Sequence, residues 1–225
     1  MNNLTLEDII IMVPILLIAL PFHEFSHGWV AYKMGDPTAK YAGRLTLNPF
    51  KHLDLVGTIM MFAAGVGWAK PVPINPIYFK NRRTGTILVS LAGPLSNLVL
   101  SFFSMLVWGV IVKLVSAGVI PVQTDIAVRI LMTAETFFLT LIIVNISLAV
   151  FNMIPVPPLD GSRLISSFIP EESYYRFARF EQYIGLAFLA LVVFLPDNLF
   201  GNFLNFFVTP IYTSMAAAVQ FILRI

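Results

Sequence analysis

The first long apolar stretch of the chain runs from residue 9 to residue 32 and reads IIIMVPILLIALPFHEFSHGWVAY. A helix needs about 20 apolar residues to cross the hydrocarbon core of a bilayer, and this stretch is long enough. It is interrupted only by His23, Glu24, Ser26 and His27. Ionisable side chains inside a membrane helix are costly and therefore usually functional. The stretch predicts both a membrane protein and the position of its site.

The composition of the whole chain supports this class of protein. Of its 225 residues, 58% are hydrophobic and only 12% are charged, whereas charged residues make up about 25% of an average soluble domain. The net charge of +2 argues against nucleic-acid binding. The absence of cysteine excludes disulfides, thiol catalysis and thiolate metal sites. We expect a single domain over residues 1–225 that lies in a lipid bilayer.

Further apolar runs predict about five transmembrane helices in an all-α polytopic membrane protein. These runs cover residues 86–112, 126–154, 183–195 and 199–223, of which 183–195 is short for a span. Residues 55–69 are glycine-containing and too short to span, and prolines punctuate residues 71–76. We therefore expect a re-entrant, glycine- and proline-rich, β-hairpin-like segment at about residues 55–76.

Lysine and arginine indicate how the chain is oriented, because cytoplasmic loops carry an excess of both residues. Twelve of the 14 cationic side chains fall in residues 33–83, in residues 152–182 or at the C-terminal end. Lys113 and Arg129 lie on the other side. We expect a multi-pass protein of the cell membrane with its N-terminus outside, its C-terminus inside and its site near the cytoplasmic face.

The motif His23-Glu24-Phe25-Ser26-His27 predicts a metal site. Histidines at positions i and i+4 lie one helical turn apart and point within roughly 40° of each other, so both can bind one ion. Glu24 is placed beside them to accept a proton from a water molecule. A catalytic zinc site takes three protein ligands and leaves one position open. The alternative interpretation is a pair of buried, hydrogen-bonded histidines.

Asp160 is the expected third ligand, because it matches the histidines in depth. It follows the proline-broken stretch Asn152-Met153-Ile154-Pro155-Val156-Pro157-Pro158-Leu159 at the inner end of the third span. Those prolines end the helix and let the chain turn back toward the first span. His52, Asp36 and Asp54 belong to a loop, and Glu135 lies nearer the outer end of its span.

Two motifs in this order resemble those of the site-2 protease family of intramembrane zinc metalloproteases. The family motif H-E-x-x-H is matched by His23, Glu24 and His27, and N-x-x-P-x-P-x-x-D-G is matched from Asn152 to Gly161. Shorter stretches at residues 47–52, 67–73 and 92–97 resemble bacterial members. The chain resembles a minimal core enzyme without the PDZ or CBS domains of larger relatives.

The resemblance implies hydrolysis of peptide bonds in transmembrane segments, as in regulated intramembrane proteolysis or the removal of signal-peptide remnants. It implies one Zn²⁺ per chain, held by His23, His27 and Asp160, with Glu24 as general base toward the zinc-bound water. The expected substrates are single-pass membrane proteins or peptides. Asn152 and Asn97 are candidate oxyanion donors, and the alternative role for both is interhelical hydrogen bonding. The re-entrant segment is expected to pair with an unwound substrate.

Other functions remain open at this point. The same histidines and acids suit a metal or proton transporter, although no second copy of either motif indicates the internal repeat common in transporters. A catalytically silent membrane scaffold is a further alternative, as is an unrelated H-E-x-x-H protease that uses glutamate as its third ligand. The sequence does not indicate the oligomeric state.

Overall fold

The apolar runs fold into long helices. A computed structural model describes residues 6–54, 56–57, 68–169, 180–195 and 197–224. The helices are α1 (Leu6–Lys33), α2 (Thr38–Tyr41), α3 (Arg82–Ser116), α4 (Asp125–Asn152), α5 (Asp160–Ser166), α6 (Glu181–Phe194) and α7 (Asp197–Leu223). Short 3-10 turns lie at Pro49–Lys51 and Pro76–Tyr78. The described residues form no β-strand.

In the part of the chain that the structure describes, four helices are long and apolar enough to cross a membrane, as expected for a helical membrane protein. They are Ile10–Lys33 of α1, α3, α4 and Leu199–Leu223 of α7. The fifth expected span corresponds to α6, which has 14 residues. A helix of that length is about 21 Å long, and the hydrocarbon core is about 30 Å thick. The fifth span therefore stays a prediction.

Helix α3 is the centre of the bundle, since it contacts α1, α4, α5 and α7. Its buried face consists largely of small residues: Gly85, Ser90, Ala92, Gly93, Ser96, Ser101, Ser104 and Gly109. Small side chains let neighbouring helix backbones approach closely, which is how membrane helices gain packing energy. Farther along α3, larger side chains form an apolar core with α4 and α7 that includes Met105, Ile142, Ile146, Val208 and Val219.

Side-chain caps set the starts of α3 and α4. The Asn81 side chain accepts a hydrogen bond from the Thr84 amide, and Thr124 does the same for Ala127. Such caps satisfy amides that have no partner within the helix. Helix α3 thus begins four residues before the apolar run from which its span is predicted.

Residues just before the predicted re-entrant segment lie beside residues 69 and 70 within it. Leu53 and Ala69 form an isolated antiparallel bridge, and the Lys70 amide donates to the His52 carbonyl over 2.8 Å. Residue 55 and residues 58–67 of this segment lie outside the described part of the chain. The β-hairpin predicted there stays a prediction.

Residues 70–75, which we call the strap, are tied to the N-terminal half of the protein. Arg44 donates to the Lys70 carbonyl over 2.6 Å. The fully buried carboxylate of Asp36 accepts hydrogen bonds from the amides of Asn75, at 2.6 Å, and Thr38, at 2.9 Å. Asp36 therefore joins the turn after α1 to the strap.

Asp36→Asn is expected to loosen this junction. An amide in place of the carboxylate keeps one acceptor oxygen but turns an NH₂ group toward one of the two backbone amides. A buried donor left unpaired costs about 1–3 kcal/mol, so the melting temperature in detergent should fall. Asp125→Asn removes the same charge from an exposed position and is the matched control. Equal melting temperatures of the two variants would contradict this role of Asp36.

Candidate metal centre

Three side chains from two distant parts of the sequence converge on one point. Nε2 of His23 lies 3.0 Å from Nε2 of His27, and Oδ2 of Asp160 lies 3.2 Å and 3.1 Å from these two atoms. All three side chains are buried or nearly so, at 8%, 7% and 13% exposure. Among the residues that the structure describes, this is the one group of three that could hold a metal ion.

Helix α1 supplies both histidines, and a backbone carbonyl of α3 orients the second. The histidines are one turn apart, so both rings leave α1 on the same face. Nδ1–H of His27 donates to the Val89 carbonyl over 2.7 Å. A carbonyl oxygen can only accept, so the proton of the neutral ring lies on Nδ1 and the lone pair lies on Nε2. Nε2 is the nitrogen that faces the cluster.

A side chain of α3, Asn97, is the partner of the other histidine. Nδ1 of His23 lies 2.6 Å from Oδ1 of Asn97, and the Asn97 amide group donates to Oδ1 of Asn145 on α4 over 2.9 Å. Because Nδ1 and Nε2 are on opposite sides of an imidazole, Asn97 lies behind His23 and away from the cluster. These hydrogen bonds correspond to the alternative interpretation of Asn97, interhelical hydrogen bonding, and they orient His23. The oxyanion-donor role of Asn97 stays a prediction.

A sharp bend of the chain after α4 places Asp160 next to the histidines. Helix α4 ends at Asn152, and α5 begins at Asp160 after the prolines. Gly161 packs directly on this bend: a Cβ atom there would lie 2.6 Å from the Ile154 carbonyl oxygen and closer still to that of Met153. The carboxylate form of Asp160 is the one that binds a metal.

Gly93 of α3 leaves the space that the two rings occupy. A Cβ atom at this position would lie 2.5 Å from Nε2 of His23 and closer still to Nε2 of His27. Any side chain larger than hydrogen would therefore overlap both nitrogens that face the cluster. The sequence alone indicates no role for Gly93, because a glycine shows no chemistry of its own.

Glu24 is anchored next to the cluster. Its Oε2 atom accepts a hydrogen bond of 2.8 Å from the Val72 amide in the strap. Within the described residues, Oε1 has no hydrogen-bond partner. The side chain is half-buried, and it lies about 60° around α1 from His27. One oxygen is thus fixed to the backbone while the other stays available.

The donor set fits zinc. Two imidazole nitrogens and a carboxylate oxygen are ligands that zinc accepts, and ligand atoms at about 2.0–2.1 Å from a tetrahedral ion are about 3.3 Å apart. The three observed separations are close to that value. Nε2 of His27 and Oδ2 of Asp160 both present electron pairs at this point, an arrangement that is repulsive until a cation lies between them.

Comparison with known proteins supports the same chemistry. The model of peptidase family M50 matches residues 11–195. The chain belongs to this family. The match confirms the resemblance to site-2 proteases and makes the protein a membrane metalloprotease by family.

Relatives of this M50 peptidase occur in several bacteria. It is 41% identical over 182 residues to YwhC of Bacillus subtilis, with 81% of this chain and 80% of YwhC covered. It is 30% identical over 192 residues to Rip2 of Mycobacterium tuberculosis, with 83% of this chain and 67% of Rip2 covered. It is 29% identical over 184 residues to Rip2 of Mycolicibacterium smegmatis, with 80% of this chain and 64% of that protein covered. All three carry the name "Putative zinc metalloprotease". No solved structure matches the chain.

The remaining candidate of the sequence analysis, Asn152, occupies the last turn of α4 in the M50 peptidase. Its amide group donates to the Leu148 carbonyl of its own helix over 2.9 Å, and the residue is half-buried. One N–H of the amide group is not used in that bond. No hydrogen bond joins Asn152 to the cluster in the described residues.

Gly93→Ala is expected to abolish metal binding. The added methyl group overlaps both Nε2 atoms, so the rings cannot keep their positions, although alanine is a better helix former than glycine. Zinc per purified chain, measured by mass spectrometry, should fall from about one to near zero. Gly201→Ala on α7 is the matched control, since nothing lies within 4 Å of a Cβ there. A full complement of zinc in Gly93→Ala would show that the described packing of α3 on the histidines is wrong.

Proposed function

We propose that the protein is an intramembrane zinc metalloprotease that hydrolyses peptide bonds in transmembrane segments of membrane proteins. The observation that carries this proposal is the convergence of two imidazole nitrogens and one carboxylate oxygen within 3.2 Å, next to an anchored glutamate. His23, His27 and Asp160 would hold one zinc ion. The ion, when bound, supplies a Lewis acid that makes water a strong nucleophile near neutral pH.

Glu24 is the proposed general base. The carboxylate takes a proton from the water whose oxygen attacks the scissile carbonyl carbon. It then returns that proton to the amide nitrogen as the C–N bond breaks, which releases a carboxylate and an amine. The Val72 amide holds Oε2, so Oε1 is the oxygen that accepts the proton. Asn152 keeps its proposed role as a donor to the oxyanion, because one of its N–H groups is not used.

The strap is the proposed binding site for the backbone of the substrate. A helix must unwind before an enzyme can reach its peptide bonds, and an unwound segment needs partners for its amides and carbonyls. The amides of Lys70 and Val72 are bound to the protein, whereas Pro71 and Pro73 have no amide hydrogen, and their carbonyl oxygens accept no hydrogen bond from the described residues. An extended substrate can donate to such carbonyls by strand addition. The natural substrates are proposed to be single-pass membrane proteins or signal-peptide remnants.

The proposed setting is the cytoplasmic membrane, with the site near the cytoplasmic face. The 12 cationic residues that indicate this orientation include Lys33 at the end of α1 and Arg163 in α5. Both lie close in sequence to ligands of the cluster, so the positive side of the protein is also the side from which water reaches the site.

A pair of substitutions tests the proposed chemistry. Glu24→Gln keeps the size of the side chain and an oxygen for the Val72 amide but cannot take a proton. It should retain about one zinc per chain and lose about 10²–10⁴-fold in cleavage of a transmembrane peptide by the purified protein. Asp160→Ala removes a ligand and should lose both zinc and cleavage. Cleavage at the normal rate by Glu24→Gln would refute the mechanism, and an unchanged zinc content in Asp160→Ala would refute the ligand set.

The cleavage assay, together with a measurement of ion transport in reconstituted vesicles, distinguishes a protease from a transporter or a scaffold. A transporter would move ions across reconstituted vesicles and leave the peptide intact, and a silent scaffold would do neither. The family and the names of the relatives favour the protease.

Introduced cysteines test the orientation, because the chain has none of its own. Lys51→Cys and Gln123→Cys lie at exposed positions on opposite predicted sides. In intact cells, a membrane-impermeant thiol reagent should label the second variant and not the first. Arg224→Cys should stay unlabelled if α6 completes a fifth span. Labelling of Lys51→Cys would invert the proposed topology.

A further inference from the structure

The side chains of Asn145 and Asn97 connect a backbone carbonyl in the interior of α4 to Nδ1 of His23. The other ring nitrogen of His23, Nε2, is the one that belongs to the cluster. The Asn145 amide group donates to the Leu141 carbonyl over 2.8 Å, and Oδ1 of Asn145 accepts from the Asn97 amide group over 2.9 Å. Oδ1 of Asn97 then lies 2.6 Å from Nδ1 of His23. Asn97 and Asn145 are both 0% exposed. We call this series the amide relay.

The two histidines differ in what orients them. His27 faces a backbone carbonyl, which can only accept, so its Nδ1 must carry the proton. His23 faces a side-chain amide, and an amide can present either its oxygen or its NH₂ group. Asn97 alone therefore does not determine which nitrogen of His23 is protonated. Something else must determine which way Asn97 faces.

The direction of the relay is set at its far end. Because the Leu141 carbonyl can only accept, Asn145 must turn its NH₂ group toward it and its oxygen toward Asn97. Asn97 must then donate to that oxygen, which leaves its own oxygen for His23. An accepting oxygen requires the proton of a neutral His23 on Nδ1, so Nε2 keeps its lone pair. Reversing any one amide would bring two oxygens or two NH₂ groups together in a buried place, which is costly.

The reversed state would also disable the cluster. If the Asn97 amide group donated to Nδ1, the proton of a neutral His23 would move to Nε2. That N–H would point at Oδ2 of Asp160, 3.2 Å away. Such a hydrogen bond to a charged acceptor is strong, and it would occupy two of the three ligands at once. The competing state is thus favourable in itself, and the hydrogen bonds of the relay oppose it.

We propose that Asn145 is a positioning residue that, through Asn97, holds His23 in the tautomer that binds metal. This inference rests on the proposed function, because it takes His23 as a zinc ligand. Partners behind a metal-binding histidine typically change metal affinity about 10–100-fold when they are removed. Asn145 does not contact His23. It would change the metal affinity through Asn97, because its hydrogen bond determines which way the Asn97 amide group faces.

Zinc affinity of the purified protein, measured by competition with a chelator, tests the relay. Asn145→Leu keeps the approximate size of the side chain and removes both hydrogen bonds, so Asn97 is free to reverse. Zinc affinity should fall by about tenfold or more. Ser101→Ala is the matched control, because Ser101 is also fully buried and bonds α3 to α4 through the Ile142 carbonyl, but it has no link to His23. Its zinc affinity should stay within about twofold of wild type.

A double variant, Asn97→Asp with Asn145→Leu, separates orientation from packing. The carboxylate that replaces the Asn97 amide can only accept, so its direction no longer depends on residue 145. We expect this double variant to recover zinc affinity relative to Asn145→Leu. A loss caused by packing alone would not be recovered by a carboxylate. Wild-type affinity in Asn145→Leu, or no recovery in the double variant, would overturn the relay.

Nitrogen NMR of the metal-free protein gives a second readout that does not require zinc. The chain has only three histidines, so the ring signals can be assigned with single His→Gln substitutions. Neutral His23 should carry its proton on Nδ1 in the wild type and in Ser101→Ala, and on Nε2 in a substantial fraction of Asn145→Leu. An unchanged tautomer in Asn145→Leu would overturn the relay. A wild type that binds no zinc but shows the expected tautomers would instead overturn the proposed function and leave the relay supported.

Discussion

The packing of α3 on the two imidazoles of α1 is the interaction on which the site depends. Val89, Gly93 and Asn97 follow one another at intervals of four residues and so share one face of α3. The two helices run antiparallel there, so the Val89 carbonyl meets His27 and the Asn97 side chain meets His23. Gly93 lies between these contacts, under both rings. One face of α3 thus supplies a hydrogen-bond acceptor for each histidine and, at Gly93, the space that the two rings occupy.

The parts of the site that carry recognisable chemistry can be predicted from the sequence. His23, Glu24 and His27 are set by helical spacing, and Asp160 follows from its depth and from the prolines before it. The structure brings the two histidines and Asp160 together as expected. Apolar runs predict the helices but not their ends, because polar caps such as Asn81 begin a helix before its apolar residues do.

What the sequence could not provide is the set of partners behind the ligands. A lone asparagine in an apolar span indicates only that it needs a partner, so the sequence leaves Asn97 as either an oxyanion donor or a residue that forms an interhelical hydrogen bond, and it indicates no role for Asn145. Which partner each amide has depends on how α3 and α4 pack, and that is a tertiary property. The spacing of residues 89, 93 and 97 nevertheless predicts that they share one face of α3. The role of that face becomes clear once α1 packs against it.

The hydrogen bond between Glu24 and the Val72 amide has a mechanical consequence. The strap is held to the turn after α1 by Asp36 and to Arg44 by a backbone carbonyl, so it is a tethered segment with few degrees of freedom. A substrate that pairs with the strap, as proposed above, would therefore bind the same segment that fixes the proposed base. The position of the Glu24 carboxylate is thereby set by the backbone of the strap and not by its own side-chain torsions alone.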